Sequence, residues 1–336
     1  MLNTTIDSVN TLRTRLKTTP TMKSVRFHGP GDIRIEEIDE PTCGKGQVKL
    51  RPAFVGICGS DLHEYRAGPV LIPKEPHKIT GTSYPVTLGH EFAGVIEEVG
   101  EGVTHLSPGQ RAVHTVAPAE HFPLPDDVSL EAAALIEPLA VAWHAVNLSP
   151  FKGGNNVMVV GGGPIGIGIV QILKLQGAKK IMVAELLDNR KRFALEYGAT
   201  EIIDPRTCDV PEKVRELTNG VGADAIFDTA GVEVALNGAI SACRVHGTIV
   251  NIAVWEKRPS IRVNELMYHE VNYTGAALYD ESAFRNVIQA LNYGQLKPEG
   301  MITAKVTMDE VVEKGFKTLL EDRGEHCKIL VDVQAS

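Results

Sequence analysis

The stretch "GICGSDLHEY", Gly56 to Tyr65, sets one thiol, Cys58, between glycines and follows it with Ser60, Asp61 and His63. A lone cysteine is most often a small buried hydrophobe. It becomes a metal ligand only when nitrogen or oxygen donors join it. Two other stretches offer such donors: "TLGHEFAG" supplies His90 and Glu91, and the apolar "ALIEPLAV" holds Glu137. A carboxylate in so apolar a segment is costly to bury unless it is paired or bound to metal. One thiolate, one imidazole and one carboxylate make a three-ligand zinc site with an open fourth position, the catalytic type. Spacing alone does not establish it, because Cys58 and His90 lie 32 positions apart and each could be a core residue.

A second constellation is "VVGGGPIG", in which Gly161, Gly163 and Gly166 satisfy G-x-G-x-x-G. The first glycine permits a tight turn, the second lets backbone amides approach a pyrophosphate, and the third lets helix and strand pack closely. Pro164 and Ile165 open the helix whose free N–H groups would face the phosphates. Glu185 ends the next strand-like run, 19 positions after Gly166. A carboxylate there accepts hydrogen bonds from ribose hydroxyls and repels a 2′-phosphate, so NAD is the expected cofactor. Arg190 and Lys191 follow; they could hold a phosphate, but are more simply the solvated face of the helix "DNRKRFALEYG".

The elements that must carry these groups fall into two textures. Residues 22–125 read as short strands broken by glycine and proline, such as "SVRFHG", "QVKLRPAFVGI", "EFAGVIEEVG" and "QRAVHTVAP", which predicts a compact, barrel-like β domain. "SLEAAALIEPLAVAWHAV" is predicted helical, with Ser129 as N-cap and Pro138 kinking its middle. From Asn155 onward six strand-like runs alternate with helical ones, which predicts a parallel, doubly wound sheet of the Rossmann type. The tail after that sheet is expected to rejoin the first domain. The predicted division is an extension over 1–21, a β-rich catalytic domain over 22–153 completed by 286–336, and an NAD-binding domain over 154–285.

Composition narrows the partners. With 336 residues, 43% hydrophobic, 23% charged and a net charge of −8, the chain does not present the basic surface expected for nucleic acid. No apolar run approaches the 18 or more residues needed to span a bilayer. Five cysteines, Cys43, Cys58, Cys208, Cys243 and Cys327, never form a C-x-x-C pair. That predicts a reduced, cytoplasmic protein without disulfides. The leader "MLNTTIDSVNTLRTRLKTTPT" is Thr-rich and basic, which fits a mitochondrial presequence or, more simply, a disordered extension. His114, His121 and His144 have no ligand-like context, and His28 is expected in a turn. Trp143 and Trp255 fit either a substrate cleft or the core.

"GICGSDLHEY", "GHEFAGVIEEVGEGV", "LIEPLAVAWHAV" and "VVGGGPIG" together resemble the zinc-dependent medium-chain alcohol and polyol dehydrogenases. "HEYRAGPVLIP", "YPVTLGHEFAGVIEEVG" and "EDRGEHCKILVDV" are similar to the 2,3-butanediol dehydrogenase branch. The resemblance runs from Met22 to about Val333 with one gap. It implies a GroES-like catalytic domain, a Rossmann domain, one catalytic zinc, and hydride transfer between an alcohol or vicinal diol and NAD. It assigns the zinc to Cys58, His90 and a glutamate; Glu91 and Glu137 both match glutamates near the metal. One binds directly, while the other exchanges with water or stands behind. Ser60 resembles the family's hydroxyl relay, which His63 continues unless it is a structural histidine. The resemblance also implies a homo-oligomer, a dimer or tetramer. Relatives usually carry a second zinc on a four-cysteine lobe. Here "QRAVHTVAPAEHFPLPDDV" passes through that place without a cysteine, so one strand is expected where relatives have two. Rival expectations are a sorbitol- or xylitol-type activity, and a non-catalytic NAD-binding chain.

Overall fold

The computed structural model describes residues 20–78, 81–115, 121–322 and 324–335. Nearly all of the basic leader lies outside the described residues, and its last residue, Thr21, already belongs to the first strand.

The N-terminal half is built on strands β1 (Thr21–Gly29), β2 (Asp32–Asp39), β3 (Val48–Gly56), β4 (Val86–Thr87), β5 (Glu91–Val99), β6 (Arg111–His114) and β7 (His121–Pro123). A second set, β8 (Asn156–Val160), β9 (Lys180–Ala184), β10 (Glu201–Ile203), β11 (Ala223–Asp228), β12 (Cys243–Asn251) and β13 (Asn272–Gly275), follows, and β14 (Ile302–Thr307) and β15 (Lys328–Asp332) close the chain. Three sheets result, ordered β2-β1-β4, β10-β9-β8-β11-β12-β13 and β14-β15-β3-β5-β6-β7. The tail thus returns to the first half: β15 pairs antiparallel with β3, Leu330 opposite Gly56. Ile57, Val306, Val311, Phe316, Ile329 and Val331 fill the space between the small sheet and this mixed one.

Every pair in the central sheet is parallel, and its order is the doubly wound one expected. The period-2 geometry of a strand splits its residues between two cores. Val157 and Val159 of β8 face one core, whereas Met158 and Val160 face the other.

Helix α1 (Gly59–Ala67) follows β3, and α2 (Leu130–Ala133) and α3 (Ile136–Leu148) link the two halves. Ser129 caps α2 as predicted, accepting from Ala132 N at 3.1 Å. Pro138 does not kink the middle of one helix. The break falls earlier, at Ala134 and Leu135, and Pro138 sits in the first turn of α3, where a missing N–H costs no hydrogen bond. Three further helices, α4 (Pro164–Leu175), α5 (Asp188–Tyr197) and α6 (Val210–Leu217), connect the parallel strands; α7 (Glu233–Ala242), α8 (Val263–His269) and α9 (Glu281–Asn292) complete the set used below. Two other expectations are corrected. His28 lies within β1, its Nε2 2.8 Å from Glu36 Oε1, rather than in a turn. "QRAVHTVAPAEHF" is not a single strand: β6 and β7 pair antiparallel, with Val113 opposite Phe122 and His114 opposite His121.

Candidate active site

The β3–β5 register solves the problem of sequence distance. Gly56, the last residue of β3, pairs with Glu91, the first of β5. Cys58 follows the one strand and His90 precedes the other, so both arrive at the same end of the sheet. A Cβ at Gly56 would run into the Glu91 carboxylate, which explains a glycine at this strand end. Cys58 is the N-cap of α1, and its amide donates to Asp61 Oδ2 at 2.9 Å. The other oxygen of Asp61 stands 3.7 Å from His90 Nδ1. Asp61 therefore ties the thiol's turn to the imidazole, the orienting role its position suggests.

Donor atoms of Cys58, His90 and Glu91 all lie within 4.8 Å of one another. Burial pushes the Cys58 thiol up, and the Glu91 charge adds to it. Glu91 itself is fully buried against Lys328, a residue of β15 that is only 2% exposed. The Lys328 ammonium donates to Glu91 Oε2 at 2.6 Å, to Oε1 at 2.8 Å and to the Ile57 carbonyl at 3.1 Å. Burial is the largest single influence and works against the ammonium, yet the charges of Glu91 and Cys58 and the hydrogen bond to Glu91 together outweigh it and raise the Lys328 pKa.

Glu137 presents the opposite picture. It sits in the first turn of α3, 4% exposed, with no hydrogen bond or ion pair among the described residues. Burial first, and the Glu91 charge second, push its carboxyl up to about 8. A buried carboxylate without a partner, beside a thiol and an imidazole, is the arrangement a divalent cation relieves. The residues present therefore fit a zinc ion.

Ser60 is half-buried in the first turn of α1. One turn on, His63 Nδ1 lies 2.6 Å from Glu256 Oε1, and Arg66 pairs with the same oxygen. The dinucleotide turn follows β8. Gly161 has φ +96°, Gly163 is the N-cap of α4 with Pro164 next, and a Cβ at Gly166 would collide with the Gly161 carbonyl. Thr229 braces the turn, donating to the Val160 carbonyl at 2.8 Å. Glu185, buried at the end of β9, accepts from Gly162 N at 2.7 Å and from Leu186 and Leu187 N at 2.7 and 2.9 Å. It thus holds the glycine turn. The two cations weighed for a phosphate part company. Arg190, half-buried, lies against Gly162 and Gly163, while Lys191 is held by Asp188 and Asp204.

Lys328, Glu256 and Thr229 were not visible as site residues in the sequence. Lys328 did leave one signal, a lone cation inside the apolar run "CKILV". No helix among the described residues is long and apolar enough to cross a membrane.

Two family models match, "Alcohol dehydrogenase GroES-like domain" over residues 44–127 and "Zinc-binding dehydrogenase" over residues 164–292. The chain is 37% identical to (R,R)-butanediol dehydrogenase of Bacillus subtilis, covering 92% of this chain and 99% of that one. It is 30% identical to sorbitol dehydrogenase of Halalkalibacterium halodurans over 90% and 96% of the two chains. The crystal structure of 2R,3R-butanediol dehydrogenase from Bacillus subtilis superposes with a TM-score of 0.86, covering 93% of this chain and 99% of that one. The first alignment runs over 347 positions yet takes in only 92% of this chain, so some positions of the relative have no counterpart here, as the shortened "QRAVHTVAPAEHF" region suggests. The chain belongs to the zinc-dependent medium-chain alcohol dehydrogenases, oxidoreductases of CH–OH groups built from a GroES-like domain and a Rossmann domain.

Proposed function

We propose that the enzyme interconverts a vicinal diol of the 2,3-butanediol type and its hydroxyketone, acetoin, with NAD as hydride acceptor. The observation that carries this is the 37% identity to (R,R)-butanediol dehydrogenase over almost the full length of both chains, supported by the gathered donors of Cys58, His90 and Glu91 and by the buried Glu137. The zinc, when bound, polarises the alcohol oxygen, and the dinucleotide takes up the hydride.

The chain's own residues do the rest. Cys58, His90 and Glu137 hold the metal. Glu91 is the poorer ligand because Lys328 already occupies both its oxygens, so it stands behind the site and tunes it. Ser60 Oγ accepts the alcohol proton and His63 passes it to solvent. Gly161, Gly163, Pro164, Ile165 and Gly166 seat the pyrophosphate at the α4 N-terminus. Glu185 selects NAD through the ribose hydroxyls, and Arg190 flanks the phosphates. In this proposal residues 22–153 with 286–336 form the catalytic unit and 154–285 the cofactor unit.

The edge strand β13 supports a homo-oligomer. Its outer edge has no strand partner among the described residues, and Tyr273 on it, with Met267 and Tyr268 of α8 nearby in sequence, is exposed, which suits pairing with a second copy.

A polyol activity is the second reading, favoured by the likeness to sorbitol dehydrogenase. Steady-state kcat/KM values for (R,R)-2,3-butanediol, meso-2,3-butanediol, sorbitol and xylitol separate the two. A higher kcat/KM for sorbitol or xylitol overturns the diol assignment, and NAD binding without turnover of any of them overturns the enzyme.

A further inference from the structure

His63 and Arg66 occupy one face of α1 at i, i+3 spacing, where side chains on a helix meet the same neighbour. That neighbour comes from the other half of the molecule. Glu256 lies in the segment after β12, at the carboxyl end of the parallel sheet, where doubly wound folds bind their cofactor. The segment is anchored: Trp255 packs on the sheet's hydrophobic core and its Nε1 donates to Asn251 Oδ1 at 2.9 Å. Glu256 is therefore presented from a fixed base. Its carboxylate lies 2.6 Å from His63 Nδ1 and contacts the Arg66 guanidinium.

An ionised carboxylate only accepts hydrogen bonds, so the Nδ1 it faces must carry the hydrogen. The proton on Nδ1 leaves Nε2 with the free lone pair, which is the form a base requires. Arg66 holds the carboxylate in its ionised form. The same contact joins the helix that begins at Cys58 to the cofactor-binding half.

We propose that Glu256 is a positioning residue for the proton relay, fixing the tautomer and rotamer of His63 across the interface between the two halves. The proposal rests on the relay role of Ser60 and His63. Glu256 touches neither alcohol nor cofactor; it acts through the imidazole. All three side chains are partly exposed, at 31%, 42% and 28% for His63, Arg66 and Glu256. An ion pair so wet contributes little to folding. Its loss should therefore show in turnover and not in the melting temperature.

The test uses the full-length, zinc-loaded enzyme in four forms: wild type, Glu256→Gln, His63→Gln and the double variant. Glutamine keeps the shape but can either donate to or accept from Nδ1, so the tautomer is no longer fixed. The expected result for Glu256→Gln is a fall in kcat of roughly tenfold, below the 10²–10⁴ of a complete acid–base group. KM for the diol, Kd for NAD and Tm should stay at wild-type values. In the His63→Gln background the same substitution should have no further effect, because the group it positions is gone. Glu256→Asp should recover part of kcat.

Equal losses in both backgrounds would show a role independent of His63 and overturn the proposal, as would wild-type kcat in Glu256→Gln beside an impaired His63→Gln. Wild-type turnover in His63→Gln would remove the relay itself, and the positioning role with it. The two failures are thus told apart by the single His63 variant.

Discussion

Replacing Lys328 by methionine keeps the length and most of the volume of the side chain and deletes only its charge. The structure allows the consequence to be sized. The ammonium makes three hydrogen bonds, two to Glu91 and one to the Ile57 carbonyl, and both partners of the ion pair are at most 2% exposed. The Coulomb attraction of such a pair at about 3 Å is roughly 5–6 kcal/mol at an effective dielectric constant near 20. Much of that is offset by desolvation, so the intact pair contributes little net stability. Breaking it is different. Glu91 would remain buried beside Cys58 and Glu137 with no cation, a loss of about 3–5 kcal/mol. At roughly 2–4 °C per kcal/mol for larger domains, Tm should fall on the order of 10 °C. A thermal melt of the zinc-free protein, in which no metal can replace the lost cation, followed by circular dichroism reads this directly. Adding Glu91→Gln to Lys328→Met should recover much of the loss, since the stranded charge then disappears. A Lys328→Met protein melting within about 2 °C of wild type would refute the buried-pair reasoning, and so would a double variant no better than the single one.

Other outcomes can be checked alongside. Cys58→Ser should lose bound zinc, read by metal analysis, together with turnover, while NAD affinity stays near wild type because the glycine turn lies in the other half. Glu137→Gln should cut zinc retention under chelation more than Glu91→Gln does; the reverse order would exchange their roles. NAD should be preferred over NADP by about 2 kcal/mol or more in kcat/KM; Glu185→Ala should narrow that gap and also weaken NAD binding, since Gly162 N loses its acceptor. His121 is held down to about 4, chiefly by burial and then by the His114 charge. Its folded pKa is depressed, so stability is full above about pH 6.5 and falls between pH 6.5 and 4, where the unfolded chain takes up the proton and the native one resists. The full shift corresponds to about 3 kcal/mol, reduced by solvent screening of a partly exposed ring. His121→Gln should flatten this acid limb in urea titrations, and an unchanged limb would assign it elsewhere.

What the sequence reveals depends on how local the physics is. "VVGGGPIG" is legible because strand, turn and helix are contiguous, and each glycine answers a steric need within a few residues: a positive φ at Gly161, a backbone too close for a Cβ at Gly166. The parallel sheet is legible for the same reason, as strand and helix periods alternate in order along the chain. Pro138 misleads because proline is equally at home in a first turn as at a kink, and only the break at Ala134 and Leu135 decides. The β6–β7 hairpin is hidden because strands of four and three residues are too short for alternation to register.

Cys58, His90 and Glu137 are visible one at a time as residue types out of place, but the meeting of Cys58 and His90 with Glu91 depends on the Gly56–Glu91 pairing, a matter of register between distant strands. The same pairing bears on the proposed ranking of the two glutamates. Glu91 enters at the start of a central strand flanked by β3 and β6, with β15 next beyond β3, and both its oxygens already accept from Lys328 of β15. Glu137 enters from α3 and has no hydrogen bond or ion pair to a cation among the described residues. Two acids near one metal thus differ by what stands behind them. An acid with a built-in lysine is satisfied before the metal arrives and gains less from binding it. An acid without a hydrogen-bonded partner gains its closest counter-charge from the metal, and on that difference, set by the return of the chain's last strand to its first sheet, rests the proposal that Glu137 is the ligand and Glu91 stands behind it.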